Sequence, residues 1–364
     1  MRLSLALAFL LLVVSVGHGF DPGPPFEIRE GDRVLLLGDA LLERENTYGY
    51  LETRMHEQFP DRRFTVRNLS WAGDTPKGWS RASFDAPEQG WDRLKEQIAI
   101  VQPTVVFLGY GMAASLQELT DRSGDITLNP DPARYGREPM SATRFKQELG
   151  ELMDAILELD RKSAAGGTPG GVRFVLLSPI RHEDLRAVRP GLPDPAEHNR
   201  LLEQYSRSLD ELAVERGSRL VSLQGWIARM HIASSASKTG REFASAPNGI
   251  HLSESGYDEW SEIVSRTLVW SNAPPKSERA ESSAEKIAAI SELIRAAVIR
   301  KNELVFQRFR PANSTYLTGF RKHEQGQNAR EITAFDPLIE AADAEIERLK
   351  QTVAAAPGST RVPR

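Results

Sequence analysis

The sequence predicts a three-layer α/β/α sandwich on a five-stranded parallel sheet, extended at its C-terminal end by helices. Two observations carry this. Five short β-rich runs, apolar on both faces, punctuate the chain up to Leu223, as expected of strands covered by helices on either side. Between them the apolar residues switch to helical spacing, and strand alternating with helix implies parallel strands joined by right-handed crossovers.

The first element is a leader. Met1-Arg2 is a short basic start, Leu3 to Val16 is almost unbroken apolar, and Gly17-His18-Gly19 supplies small residues before Phe20. That is the layout of a secretory signal peptide over residues 1–19, too short to span a bilayer comfortably and with no stop-transfer pattern after it. The protein is therefore expected outside the cytoplasm, periplasmic or extracellular. An uncleaved N-terminal anchor is the other reading of the same run.

The sandwich is expected over residues 20–272. Its strands are Arg33–Leu37, Phe64–Leu69, Thr104–Gly109, Val172–Leu177 and Ser218–Leu223. Helical spacing recurs in Phe145, Leu149, Leu152, Met153, Ile156 and Leu157, and again in Leu201, Tyr205, Leu209 and Leu212. Gly217 terminates the second of these helices. A polar stretch, Ala233–Ala246, precedes a closing helix carrying Trp260, Ile263, Val264 and Leu268.

Asn272-Ala273-Pro274-Pro275 then marks a boundary. A helical extension follows over residues 276–352. One amphipathic face holds Ile287, Ile290, Leu293, Ile294, Ala297 and Val298; another holds Phe335, Leu338, Ile339, Ala342, Ile346 and Leu349. An aromatic-basic arm, Phe306 to Gln327, lies between them, and residues 353–364 are expected to be disordered.

Composition excludes several functions. The 364 residues are 40% hydrophobic and 26% charged, ordinary globular values. A formal net charge of -4 leaves no basic footprint for nucleic acid. Cysteine is absent, which removes disulfides, thiolate metal sites, covalently attached haem and a cysteine nucleophile. The Gly166-Gly167 to Gly170-Gly171 stretch lacks the Gly-Lys-Ser/Thr of a phosphate loop. Neither a cofactor nor a metal is expected.

In open parallel sheets, function collects at the carboxyl ends of the strands. Strand one runs into Gly38-Asp39-Ala40-Leu41, strand two into Gly73-Asp74, and strand three into Gly109-Tyr110-Gly111-Met112; Asn248-Gly249-Ile250-His251 precedes the closing helix. In this order and spacing, across Asp32 to Trp270, the four blocks resemble those of the SGNH/GDSL hydrolases, secreted esterases and acetylesterases with a flavodoxin-like sandwich. The family's blocks read Gly-Asp-Ser-Leu, a lone glycine, Gly-x-Asn-Asp and Asp-x-x-His.

The resemblance implies a site and also its loss. In the family the serine attacks an ester carbonyl, the histidine takes its proton and the aspartate orients the imidazole. The serine and glycine N–H groups and the asparagine amide hold the oxyanion. Here Ala40 stands at the nucleophile position, Gly111 replaces the asparagine, and uncharged Asn248 stands before His251. Acyl-serine catalysis through Ala40 is excluded, while the backbone N–H groups of Ala40 and Gly73 remain as oxyanion donors. The leading expectation is an exported, catalytically degenerate esterase-like protein that binds an acylated or carbohydrate ligand. One alternative is an active esterase or carbohydrate acetylesterase using Asp39 with His251 on water, or a displaced serine such as Ser70 or Ser115. The other is an interaction module that meets a protein partner through its C-terminal arm.

Further residues are candidates by position. Trp71 and Tyr110 flank the motif turns and suit stacking on a sugar ring or packing; Trp79 and Trp91 lie farther off, with Trp91 expected in the core. His182, Glu183 and Asp184 follow the fourth strand, as a polar ligand contact, a metal ligand or a solvated loop. Glu197-His198-Asn199 is expected as the polar first turn of a helix. None of the histidines has the spacing of a His-Glu-x-x-His zinc motif.

Overall fold

The structure, a computed structural model, describes residues 24–83, 85–123, 139–163, 166–187, 189–225, 246–270 and 281–354. The expected leader, nearly all of the polar stretch before Ala246, the boundary at 272–275 and the tail from 355 lie outside the described residues.

The five expected strands form, each within two residues of its expected bounds: β1 Arg33–Gly38, β2 Thr65–Asn68, β3 Val105–Gly109, β4 Arg173–Leu177 and β5 Arg219–Val221. All pairs are parallel, in the order β2-β1-β3-β4-β5. Val34, Leu36, Val105 and Phe107 enter one core layer; Leu35, Leu37, Val106 and Leu108 enter the other. A strand apolar at every position is thus buried on both faces, which is why its run shows no alternation.

Helices fill both layers. The first layer takes α1 (Ala40–Tyr48), α2 (Tyr50–Gln58) and α7 (Glu254–Thr267). The second takes α3 (Pro87–Val101) and α5 (Ala142–Arg161), while α4 (Met112–Ser123) and α6 (Ala196–Arg216) contribute to both layers. The expected helical residues Phe145, Leu149, Leu152, Met153, Ile156, Leu201, Tyr205, Leu209 and Leu212 are all buried.

The extension is integral to this body. Long helix α8 (Glu281–Phe309) packs on β2, α1 and α2, and on α11 (Phe335–Ala354); between them lie the short helices α9 (Ser314–Leu317) and α10 (Asn328–Ile332). Ile294, Ala297, Val298 and Ile346 form the seam. Leu293 and Leu338, expected on the buried faces, are more than half exposed. Leu293 precedes Ile294 by one residue, about 100° around the helix, and falls outside a narrow seam.

Charged groups tie the extension down. Fully buried Lys301 on α8 donates from Nζ to both carboxylate oxygens of Glu52, at 2.6 and 2.7 Å, and to the Val66 carbonyl at 2.9 Å. Arg67 of β2 makes a bidentate pair with Asp343, at 3.1 and 2.5 Å. The edge strand β2 is thereby covered, and an edge so covered offers no template for another chain.

Candidate active site

The order β2-β1-β3 places a topological switch point between β1 and β3, and the crevice opens at their carboxyl ends. Gly38 pairs with Gly109 there. A Cβ on Gly38 would stand 2.3 Å from the Gly109 carbonyl oxygen, so only glycine allows this approach. The chain beyond is stitched across: Asp39 N–H donates to Gly109 O at 3.1 Å and Trp71 N–H to Gly38 O at 3.0 Å.

Asp39 is the N-cap of α1. Its Oδ1 accepts from Leu41 N–H at 3.3 Å and its Oδ2 from Ala113 N–H, in the first turn of α4, at 3.1 Å. The buried carboxylate thus braces two helix starts against each other. Burial pushes its pKa up to about 6, against the pull of Ala113 and neighbouring N–H groups.

Ala40 opens α1 and lines a narrow cleft with Asp39, Gly109, Tyr110, Met112 and His251. Leu41, Ser178, Pro179, Ile180 and Ile250 complete it. The free space is about 10 Å³, room for about one water. Gly73, with φ of 74° in the turn after β2, and Asn248, behind His251, stand outside this lining.

Asn248 sets the chemistry of His251. Its Oδ1 accepts from the backbone N–H of His251 at 2.8 Å and of Ile250 at 3.2 Å. Those donors fix the amide, because the flipped form would set NH₂ against two N–H groups. The Nδ2 group therefore faces His251 Nδ1, 3.0 Å away, and donates to it. Nδ1 is the acceptor, so the neutral ring carries its proton on Nε2. An aspartate in this place would accept from Nδ1–H and leave Nε2 free to take a proton; here the polarity is reversed. Burial and the charge of Arg44 lower the His251 pKa and favour the neutral ring, while Glu43 pulls the other way.

The remaining oxyanion position is filled from outside. Gly111 has φ of 130°, and a Cβ there would lie 3.2 Å from Pro179 Cγ. An asparagine side chain would need Pro179 to move and the backbone to bear strain.

Of the two aromatics expected to stack on a sugar ring or to pack, Tyr110 packs in the core and Trp71 has arginines over its ring. Tyr110 is 1% exposed and its ring belongs to the second core layer. Trp71 already carries Arg310 at 3.9 Å and Arg81 at 5.4 Å from its ring centroid. Arg310, from the end of α8, also pairs with Glu43, whose other oxygen accepts Ala72 N–H at 2.9 Å. The C-terminal arm therefore reaches α1 and the turn after β2. Trp91 is partly buried against the second layer, as expected.

A second polar cluster lies alongside. Ser115 Oγ is 2.9 Å from His198 Nε2, and His198 Nδ1 is 3.0 Å from His182 Nδ1. His198, expected on a polar first turn, is 1% exposed, and burial takes its pKa down to about 4. Its place was readable: His198 precedes Leu201 and Leu202 by three and four residues and shares their buried face. The loop after β4 is not simply solvated, since Glu183 is buried and the His182 ring sits where a Cβ on Gly249 would fall. Among the described residues no group of three or more histidine or acidic side chains is placed to hold a metal. Ser70 is buried at the end of β2 and its hydroxyl has no partner among the described residues.

No family model and no curated protein matches the chain. Among solved structures, a gut microbial diltiazem-metabolizing enzyme matches with a TM-score of 0.55 at 12% identity, over 89% of this chain and 96% of that one. The chain shares that enzyme's fold, here a three-layer α/β/α sandwich on a parallel sheet. The acetylxylan esterase of Geobacillus stearothermophilus matches with a TM-score of 0.48 at 16% identity, over 68% of this chain and 100% of that one. A GDSL-like lipase from Parabacteroides merdae gives 0.46 at 14%, over 68% and 100%. In this frame Asp39, Ala40, Gly109, Tyr110 and His251 converge on one cleft. Arg44, which sequence reasoning passed over, lies four residues after Ala40 and hence on the same face of α1.

Proposed function

We propose that this is an exported, SGNH/GDSL esterase-like protein that has given up acyl transfer and binds an acylated or carbohydrate ligand at the mouth of its narrow cleft. The observation that carries the reading is the reversed hydrogen bond at His251. A general base needs a lone pair on the nitrogen facing the nucleophile; with Asn248 donating to Nδ1, His251 offers a proton there instead. Ala40 offers no oxygen to deprotonate, and Asp39 has both oxygens occupied by N–H groups. Export rests on the leader.

The test is hydrolysis of p-nitrophenyl acetate and of an acetylated-glycan panel by the wild type, His251→Ala and Ala40→Ser/Asn248→Asp. The expected results are no turnover by the first two and measurable turnover by the third. Wild-type turnover that disappears with His251 would overturn the proposal.

One observation favours a displaced serine: the Ser115–His198 distance of 2.9 Å is that of a serine–histidine pair. Against it, Ser115 is 0% exposed and its hydroxyl donates to the Met112 carbonyl at 2.9 Å. Ser115→Ala in the same assay decides this reading: it requires turnover that the substitution abolishes.

A further inference from the structure

A chain of three hydrogen bonds runs from α4 through α6 to the loop after β4. Ser115 Oγ lies 2.9 Å from the Met112 carbonyl oxygen and 2.9 Å from His198 Nε2, and His198 Nδ1 lies 3.0 Å from His182 Nδ1. Each of these separations needs one proton between its heavy atoms, and a carbonyl has none to give. The Ser115 hydroxyl therefore donates to Met112, His198 donates from Nε2 to Ser115, and His182 donates from Nδ1 to the bare Nδ1 of a neutral His198. The direction is set at the buried end. At the other end His182 Nε2 keeps its lone pair, with no hydrogen-bond partner among the described residues.

That end supports the turn bearing His251. A Cβ on Gly249 would stand 2.8 Å from His182 Cδ2 and 2.9 Å from its Nε2. Asn199 holds the His182 backbone at both N–H and C=O, each at 2.9 Å. Glu183 N–H donates to Gly249 O at 2.9 Å, Ala246 N–H to a Glu183 carboxylate oxygen at 3.2 Å, and Arg189 to the Pro247 carbonyl at 2.7 Å. Asn248 and His251 ride on a turn that rests on the His182 loop. The charges around the chain are mostly paired. On the neighbouring helices Arg122 pairs with Glu118 and Glu197, Glu118 accepts the Tyr205 hydroxyl, and Arg181 of the loop pairs with Glu203. Asp184 is held by Arg186, and residues 246–250 of the turn carry no charged side chain. Burial lowers the His182 pKa while Asp184 pulls it up; burial, with the charge of His182, takes His198 to about 4.

We propose that Ser115, His198 and His182 form a one-way hydrogen-bond chain that seats the turn bearing His251, and that a proton arriving on His182 Nε2 unseats it. The proton enters at the half-buried end, because a proton on His198 Nδ1 would set two N–H groups against each other across 3.0 Å. A charged His182 ring is drawn towards water and Asp184 and away from the apolar Cα of Gly249, and the turn moves with it. His182 thereby senses protons on behalf of His251. The device works in the same way whether or not the cleft turns over an ester.

The test is NMR of the whole protein, reading the ring nitrogens of His182 and His198 and the Gly249 amide. At neutral pH His182 should carry its proton on Nδ1 and His198 on Nε2. Ser115→Ala removes the acceptor that sets the direction, and His182, which lies beyond His198, should then populate both tautomers. The pH arm uses His251→Gln, which removes that ring's own titration. Acidification should shift the Gly249 amide with the midpoint of His182, while His198 stays neutral down to about 4. Adding His182→Phe should abolish the shift. A proton on His182 Nε2 at neutral pH, a single His182 tautomer in folded Ser115→Ala, or a Gly249 shift that survives His182→Phe each overturns the proposal. If Ser115→Ala does not fold, the wild-type tautomers and the His182→Phe arm decide it.

Discussion

At the scale of single residues, the cleft is governed by which atoms already have partners. Asp39 lies at the mouth of a site where a carboxylate invites a catalytic role, yet two N–H groups occupy its oxygens and make it a brace. Its folded-state pKa, about 6, lies above the ordinary 3.8. A raised value means that the folded form binds the proton more tightly than the unfolded one. Its contribution to stability is therefore full below pH 3.8 and declines as pH rises towards about 6, and it is flat above that. A ¹³C titration of the Asp39 carboxyl should have its midpoint near the higher value. Wild type should also lose more unfolding free energy than Asp39→Asn across that window; a midpoint near 3.8 would contradict the burial argument.

At the scale of elements, the strands were legible because parallel strands covered on both faces read as continuous apolar runs, as Val34 to Leu37 do. The motif turns were legible because the Gly38–Gly109 approach admits no side chain. Partnerships between distant segments were not. Nothing local distinguishes Lys301 from a solvated lysine, or Arg310 from any residue of a basic arm. His198 was misread because its neighbours Glu197 and Asn199 suggested a polar turn, although the leucines behind it already gave the buried face. Lys301 supplies the test at this scale. Lys301→Met leaves Glu52 buried without its cation and should cost about 3–5 kcal/mol in chemical denaturation. Adding Glu52→Leu should recover most of that loss, since an apolar pair of similar volume replaces a buried ion pair at little cost. A single variant as stable as wild type would show that Glu52 is not held ionised by α8.

For the molecule as a whole, the extension acts as the cover of one sheet edge. Removing residues from 276 onward uncovers β2, the Glu52 carboxylate and the core side of Phe64, over which Lys350 Nζ sits at 4.4 Å. The truncated chain should be insoluble or aggregate in size-exclusion chromatography; a soluble monomer with an unchanged melting temperature would contradict this role. The arm also reaches α1 and the turn after β2 through Arg310, beside Glu43 and Trp71.

The Glu52–Lys301 pair joins residues 249 positions apart in the chain. Translation at about 5–20 residues per second brings the lysine out of the ribosome roughly 12 to 50 s after the carboxylate it neutralises. Throughout that interval the sandwich holds a core position for a charge whose partner has not yet been made. Its last closing step waits on the helices of the extension, and the nascent chain has reason to stay unfinished until they arrive.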